Sequence, residues 1–279
     1  MHLFQILVLA IVQGAAELLP VSSSAHVIVA EKLMGLDATS PEMTFLLVML
    51  HTGTMFAVIA YFWSAWRRAF FGSALQLRAS LVRVVLATGV TGVVGLALLQ
   101  VIKHVVAGGR ADYEIEQLFG DARVMTGGLV AAGLLILVAS RRADRPVRDI
   151  SLRQAGWIGA IQGLCLPFRG FSRSGATISA GMLLGAARQR AEEFSFALAV
   201  ALTPPVVARE AWRLLKNQAL AAQPCGVAHL LAPGLTGMVF SFLAGLLALR
   251  WLSRWLEQGR WHWFGIYCLL AAAVVWRVG

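Results

Sequence analysis

Charge is scarce in this chain. Asp and Glu number 14 against 24 Lys and Arg, and only 14% of the 279 residues are charged. A soluble globular domain needs more than that, and with 58% hydrophobic residues and a mean hydropathy of +0.73 the surrounding solvent must largely be lipid. Cysteine is scarce too. Cys165, Cys225 and Cys268 are odd in number, far apart and without metal-ligand spacing, which argues against a disulfide framework and a zinc site. No basic residue precedes the apolar stretch 3–12, so it lacks the charged start of a secretory signal and is expected to stay in the mature protein. The basic excess falls in short clusters between apolar segments rather than along one face, which argues against a nucleic-acid partner.

What the chain does have is long apolar runs. A bilayer core of roughly 30 Å asks for about 20 apolar residues per crossing helix. Runs near 43–66, 81–103, 121–140, 194–212, 228–250 and 261–278 meet or approach that length, predicting six transmembrane helices. Two further segments, roughly 3–36 and 154–187, are broken in the middle by Pro, Gly and Ser. Each half is too short to cross, so both are expected to be re-entrant helix–loop–helix hairpins, with irregular backbone shielded by protein or lining a wet cavity. The basic groups Arg67, Arg68, Arg78, Arg83, Arg141, Arg142, Arg145, Arg148, Arg153, Arg188, Arg190, Arg250, Arg254 and Arg260 then share one side. The positive-inside rule makes that side cytoplasmic, with both termini and the loop carrying Asp112, Glu114, Glu116 and Asp121 outside. Trp251, Trp255, Trp261 and Trp263, with Arg254, read as interfacial anchors.

The chain also resembles itself. Gln13-Gly14, Leu19-Pro20 and a run of serines recur as Gln162-Gly163, Leu166-Pro167 and serines, and Phe45 recurs as Phe196. The offsets, 149 for the glutamines and 151 for the phenylalanines, barely drift. Three spans in the first half would turn the second upside down. The expectation is one all-α membrane domain over 1–279, built as an inverted-topology repeat of about 1–140 and 141–279, with its broken helices meeting near the midplane.

Both breaks carry polar groups. In the first, Gln13 and Glu17 are four apart, on one helix face, followed by Ser22, Ser23, Ser24 and His26. A carboxylate at membrane depth costs on the order of 3 kcal/mol on insertion scales, so Glu17 needs a partner or a wet cavity. Ser23 and His26 are three apart and within reach of a shared ligand, while one or two of the three serines are expected only to cap the helix. The second break reads Arg169-Gly170-Phe171-Ser172-Arg173-Ser174-Gly175-Ala176-Thr177. Glycine permits close approach, hydroxyls donate, a guanidinium matches phosphate oxygens, and the helix that starts there adds its dipole. A carboxylate, a serine–histidine pair, an arginine and a helix N-terminus together suit phosphoryl transfer, with a base-activated serine or His26 itself as nucleophile. His51, inside the span 43–66, either lines the cavity or is an ordinary hydrogen-bonded helix histidine.

These motifs resemble those of the bacterial undecaprenyl-pyrophosphate phosphatase family, also known for bacitracin resistance, along nearly the whole chain. Gln13, Glu17, Pro20, Ser22, Ser23 and His26 match its first motif, and Gly170, Ser172, Arg173, Ser174 and Thr177 its second. The resemblance implies hydrolysis of a polyprenyl pyrophosphate lipid to the monophosphate carrier and inorganic phosphate, at the outer face of the plasma (inner) membrane. It implies Glu17, Ser23, His26 and Arg173 as catalytic residues, with Ser23 favoured as nucleophile, and Gln13, Ser22, Gly170, Ser172, Ser174 and Thr177 around the substrate. It also implies a divalent cation, Mg or Ca, for which Glu17 is the candidate ligand. Two positions depart from the pattern: Gln13 stands where many members carry Glu, and Arg169 where the motif has Pro. Arg169 either adds a phosphate contact or faces water.

Two rivals remain. The type 2 phosphatidic-acid phosphatase superfamily requires a histidine where this chain has Ser179, and its signature fails. A flippase of polyprenyl-phosphate lipid shares the inverted-repeat architecture, but transport needs no nucleophile beside the phosphate. The sequence leaves a homodimer open.

Overall fold

The computed structural model describes residues 2–37, 40–70, 72–106, 121–216 and 228–278. Within them every regular element is a helix: α1 (Leu3–Leu18), α2 (Ser23–Leu33), α3 (Pro41–Phe70), α4 (Ala74–Val106), α5 (Ala122–Ser140), α6 (Leu152–Cys165), α7 (Arg173–Leu183), α8 (Arg188–Leu215), α9 (Ala228–Glu257) and α10 (His262–Val278). Asp112, Glu114, Glu116 and Cys225 lie outside the described residues.

Among the described residues five helices are long and apolar enough to cross a membrane: Pro41–Phe70, Ala74–Val105, Ala122–Ser140, Arg188–Trp212 and Leu230–Glu257. The sixth expected span, α10, has 17 residues, about 25 Å at the usual rise per residue and just short of a hydrocarbon core. Most of the others run past the apolar stretches read from sequence, because polar flanking residues such as Arg67 and Arg68 continue the last turn of α3. Pro204 and Pro205 sit inside α8 without ending it.

The two broken segments form two short-helix pairs, and the breaks have local causes. α1 stops ahead of Pro20, where Leu19 takes the extended conformation that a following proline favours, and α6 stops ahead of Pro167 although Leu166 itself keeps helical angles. α6 opens on a capping box, in which Ser151 Oγ accepts from the Gln154 amide and Gln154 Oε1 from the Ser151 amide. α2 and α7 both stop two residues before a glycine in the left-handed region, Gly35 at φ 61° and Gly185 at φ 84°, 150 apart.

The packing shows the same spacing. Gly14 of α1 lies against the Ser241 carbonyl of α9, and Gly163 of α6 against the Thr91 carbonyl of α4; a side chain at either glycine would collide. Each contact joins a short helix of one half to a long helix of the other, with backbones drawn together by small residues as bilayer packing favours. Side chains such as Val85, Leu96, Leu247 and Leu270 face outward, whereas Gln162, Thr177, Ser179, Ser195 and Ser241 are fully enclosed, a distribution suited to lipid on the outside.

The tryptophan reading needs one correction. Trp251 and Trp263 are exposed as an interfacial belt requires, but Trp261 is completely buried, donating from Nε1 to Ser179 Oγ at 3.1 Å and packing on Phe264. An indole with a partner for its N–H is a good core residue, and periodicity alone could not tell which tryptophan of the cluster turned inward.

Candidate active site

The loop between α1 and α2 is irregular backbone among apolar helices, and its carbonyls are satisfied by side chains rather than by a helix. Leu19 O accepts from Ser174 Oγ at 3.3 Å, Pro20 O from Cys268 Sγ at 3.2 Å, and Ser22 O from the His26 ring at 2.8 Å. α7 and α10 therefore hold the first loop in place. Ser22 sits at φ 68°, the one non-glycine with positive φ among the described residues, strain on the order of 1–3 kcal/mol of the kind that gathers at functional sites. No Ser22 side-chain cap closes α2; its hydroxyl pairs with Ser24 Oγ at 3.2 Å, contrary to the capping expected of these serines.

The second loop is pressed onto α5. Gly170 adopts φ 95°, and a side chain there would run into the Met125 carbonyl, while Gly128 leaves room for the backbone of Arg169 and Phe171. This contact turns the chain into α7, whose first residue is Arg173. Ser172 caps that helix by accepting from the Gly175 amide at 3.2 Å, so one of its free N–H groups is already taken.

Between the loops lies a cavity of about 240 Å³ lined by residues that include Glu17, Ser22, Ser23, Ser24, Arg169, Ser172, Arg173 and Ser174, with Leu166, Phe168 and Phe171 as its apolar wall. Glu17 is its centre. Oε1 accepts from Arg173 Nη2 at 2.9 Å; Oε2 accepts from Ser23 Oγ at 2.6 Å and from Gln13 Nε2 at 3.2 Å; and the His51 ring stands 3.8 Å from Oε2. The side chains of Glu17 and Arg173 are 18% and 22% exposed, shielded yet open to the cavity. Arg173 Nη1 is buried with no hydrogen-bond partner among the described residues, a donor left for a ligand.

The expected residues divide accordingly. Gln13, Glu17, Ser23 and Arg173 converge, and Ser22, Ser172 and Ser174 line the cavity. Gly170 shapes the loop without lining it. Thr177 lies behind, donating to the Arg173 carbonyl at 2.7 Å and paired with Ser195 Oγ at 2.6 Å, so it holds the arginine's backbone rather than the cavity wall. His26 shares a helix face with Ser23, but both ring nitrogens are engaged elsewhere: Nδ1 with Ser22 O and Nε2 with the Tyr267 hydroxyl at 2.6 Å, the two rings stacked at 5.6 Å. A carbonyl can only accept, so Nδ1 carries hydrogen and the neutral ring accepts from Tyr267. The hydroxyl of Ser23 thus turns to Glu17 rather than to the imidazole. His51 is the hydrogen-bonded helix histidine of the two readings made of it, bonding Leu47 O at 2.8 Å; it stands 3.8 Å from Glu17 but is not among the residues lining the cavity. Tyr267 and Cys268, more than 240 residues from their partners, carried no signal in the sequence.

A metal held by the protein does not fit this donor set. Glu17 is the sole carboxylate on the cavity, both its oxygens already accept hydrogen bonds, and no group of three His, Cys, Asp or Glu that could hold an ion occurs among the described residues.

The family described as bacitracin resistance protein BacA matches residues 6–274. The chain is 58% identical to undecaprenyl-diphosphatase 2 of Acinetobacter baylyi over 99% of its own length and 97% of the relative's. It is 35% identical to undecaprenyl-diphosphatase 1 of Burkholderia pseudomallei, covering 97% and 95%, and 34% identical to the undecaprenyl-diphosphatase of an Anaeromyxobacter species, covering 99% and 89%.

Proposed function

The chain belongs to the BacA bacitracin-resistance family, and from that premise we infer that it is a membrane hydrolase converting undecaprenyl diphosphate to undecaprenyl phosphate and inorganic phosphate. The observation that carries the chemistry is the carboxylate bridge: Glu17 takes the Ser23 hydroxyl on one oxygen and the Arg173 guanidinium on the other.

That bridge sets out a nucleophile, its base and an anion clamp. Arg173, through Nη1, and the hydroxyl of Ser172 draw the terminal phosphoryl group into the cavity and spread its charge. Ser23 Oγ attacks the terminal phosphorus while its proton passes to Glu17 Oε2, the bond to the bridging oxygen breaks, and undecaprenyl phosphate departs. Water, keeping its protons on the product phosphate, then displaces Ser23 Oγ, which recovers its proton from Glu17. The guanidinium keeps Glu17 ionised and aimed in the resting site, and Gln13 supports the same carboxylate without adding charge. No step runs through a protein-held metal; a Mg or Ca ion taking part would be carried by substrate phosphate oxygens.

The same reading extends to topology. The paired short helices are re-entrant, α10 completes six spans with the five long helices, and the halves are inverted copies; the Gly14–Ser241 and Gly163–Thr91 contacts support the last point. Asp144 accepts from the Arg188 amide at 3.1 Å, Arg188 Nη2 donates to Arg142 O at 3.3 Å, and Asp149 pairs with Arg83 at 3.7 Å. These basic segments share one end of the molecule, which the positive-inside rule puts in the cytoplasm of a bacterial plasma membrane, leaving the cavity for the outer face. The decisive assay is phosphate release from undecaprenyl diphosphate by purified protein. Binding without release would leave a lipid carrier in place of an enzyme.

A further inference from the structure

The strap that joins α5 to α6 carries five arginines, Arg141, Arg142, Arg145, Arg148 and Arg153, against two carboxylates, Asp144 and Asp149. Residues 141–149 are all exposed, as is Arg153. Both carboxylates are tied elsewhere: Asp144 accepts from the backbone amides of Arg188 at 3.1 Å and Arg145 at 2.9 Å, and Asp149 pairs with Arg83 of α4 at 3.7 Å. Among the described residues none of the five guanidinium groups makes a hydrogen bond or an ion pair. The strap is nevertheless fixed, since Arg188 Nη2 also holds the Arg142 carbonyl at 3.3 Å. Five like charges held together without counter-charge offer an anion a strongly positive surface. Arg153 adds to this, because a cation in the first turn of α6 opposes the helix dipole until an anion offsets it.

The neighbours of the arginines point to the kind of anion. Val147 stands between Arg145 and Arg148, and Leu152 beside Arg153; they are 56% and 53% exposed. No aromatic residue for stacking on bases occurs in 141–153. Aliphatic side chains among arginines suit the boundary between headgroups and acyl chains. Arg141 follows directly on α5, which is long and apolar enough to cross a bilayer, so the strap lies at headgroup level.

We propose that the 141–153 strap binds the headgroups of anionic phospholipids, with the guanidinium forks on lipid phosphates and Val147 and Leu152 against the acyl boundary. The assignment goes beyond the chemistry of the cavity and rests only on α5 crossing the membrane. The strap links α5, on which the loop of Arg169 and Phe171 lies, to α6, which leads into that loop. Lipid bound there braces both elements behind the second motif.

The test is a melting titration of the purified full-length protein in neutral detergent micelles, with phosphatidylglycerol or phosphatidylcholine added. Phosphatidylglycerol should raise the melting temperature by several degrees, as any ligand of the folded state does, and phosphatidylcholine should leave it unchanged. In the triple variant Arg142→Gln, Arg145→Gln, Arg148→Gln the same response should need about a hundredfold more phosphatidylglycerol, since each arginine near a lipid surface is worth about fivefold. If the triple variant responds as the unsubstituted protein does, or if phosphatidylcholine stabilises as well as phosphatidylglycerol, the assignment is wrong. Equal stabilisation by a short RNA oligonucleotide would likewise overturn it, by making the strap a site for any polyanion in water. Should the triple variant fail to fold, the unsubstituted protein still decides: raising NaCl from about 0.05 M to about 0.5 M should weaken the phosphatidylglycerol response more than tenfold, and a response indifferent to salt sinks the proposal. None of these readouts depends on phosphate release, so the lipid strap and the hydrolase reading fail separately.

Discussion

Ser23 donates its hydroxyl to Glu17 Oε2 across 2.6 Å, which makes the carboxylate, rather than the imidazole one turn further along α2, the base positioned for this serine. Ser23→Ala and Glu17→Gln should each lower kcat for phosphate release by about 10²–10⁴-fold. Their effects should also be far from additive in the double variant, because the two residues act as one unit. A Ser23→Ala protein that keeps its rate would shift attack to water.

Arg173 spans the two motifs, and one of its terminal nitrogens is left for a ligand. Arg173→Ala should abolish measurable turnover, and Arg173→Lys should restore little, since an ammonium cannot hold a carboxylate and a phosphate with a planar fork. Near-normal activity in either variant, in the same assay, would contradict the clamp.

Tyr267 orients His26 from α10 by hydrogen bond and by stacking. Tyr267→Phe keeps the stacked ring and removes only the hydroxyl, so the protein should melt within a few degrees of the parent while kcat falls several-fold, about the worth of one hydrogen bond. An unchanged rate would reduce the pair to a structural contact.

Gln13 donates to Glu17 Oε2 at 3.2 Å. Replacing it with glutamate sets two carboxylates on one oxygen's approach, an arrangement that repels unless a proton or cation intervenes. Gln13→Glu should therefore make turnover depend more steeply on added Mg or Ca than in the unsubstituted protein. Superimposable metal titrations of the two proteins would show that position 13 has no bearing on cation use.

Hydropathy and punctuation were enough to read most of the architecture. Pro20 and Pro167 stand where two apolar segments break into short helices, Pro20 behind an extended Leu19 as a proline favours, and the long runs between charge clusters are helices because lipid offers no other partner for backbone groups. The polar residues of the two breaks stood out for a related reason: Glu17 and Arg173 would be costly in apolar surroundings unless something used them. Trp261 shows the limit, since one tryptophan in a cluster turns inward only because Ser179 of another helix waits for its N–H.

Local composition thus determined which segments form apolar helices, where they break and which side chains would be costly to leave alone among them. Only the tertiary structure decided who meets whom: that Ser23 faces Glu17 and not His26, that His26 faces Tyr267, that Thr177 stands behind Arg173, and that Arg169 reaches the cavity. Those pairings depend on helix rotation and on contacts between residues up to 241 apart in the chain. Hydrogen bonds act over about 3 Å, whereas a sequence pattern constrains a side chain's direction only to one face of a helix.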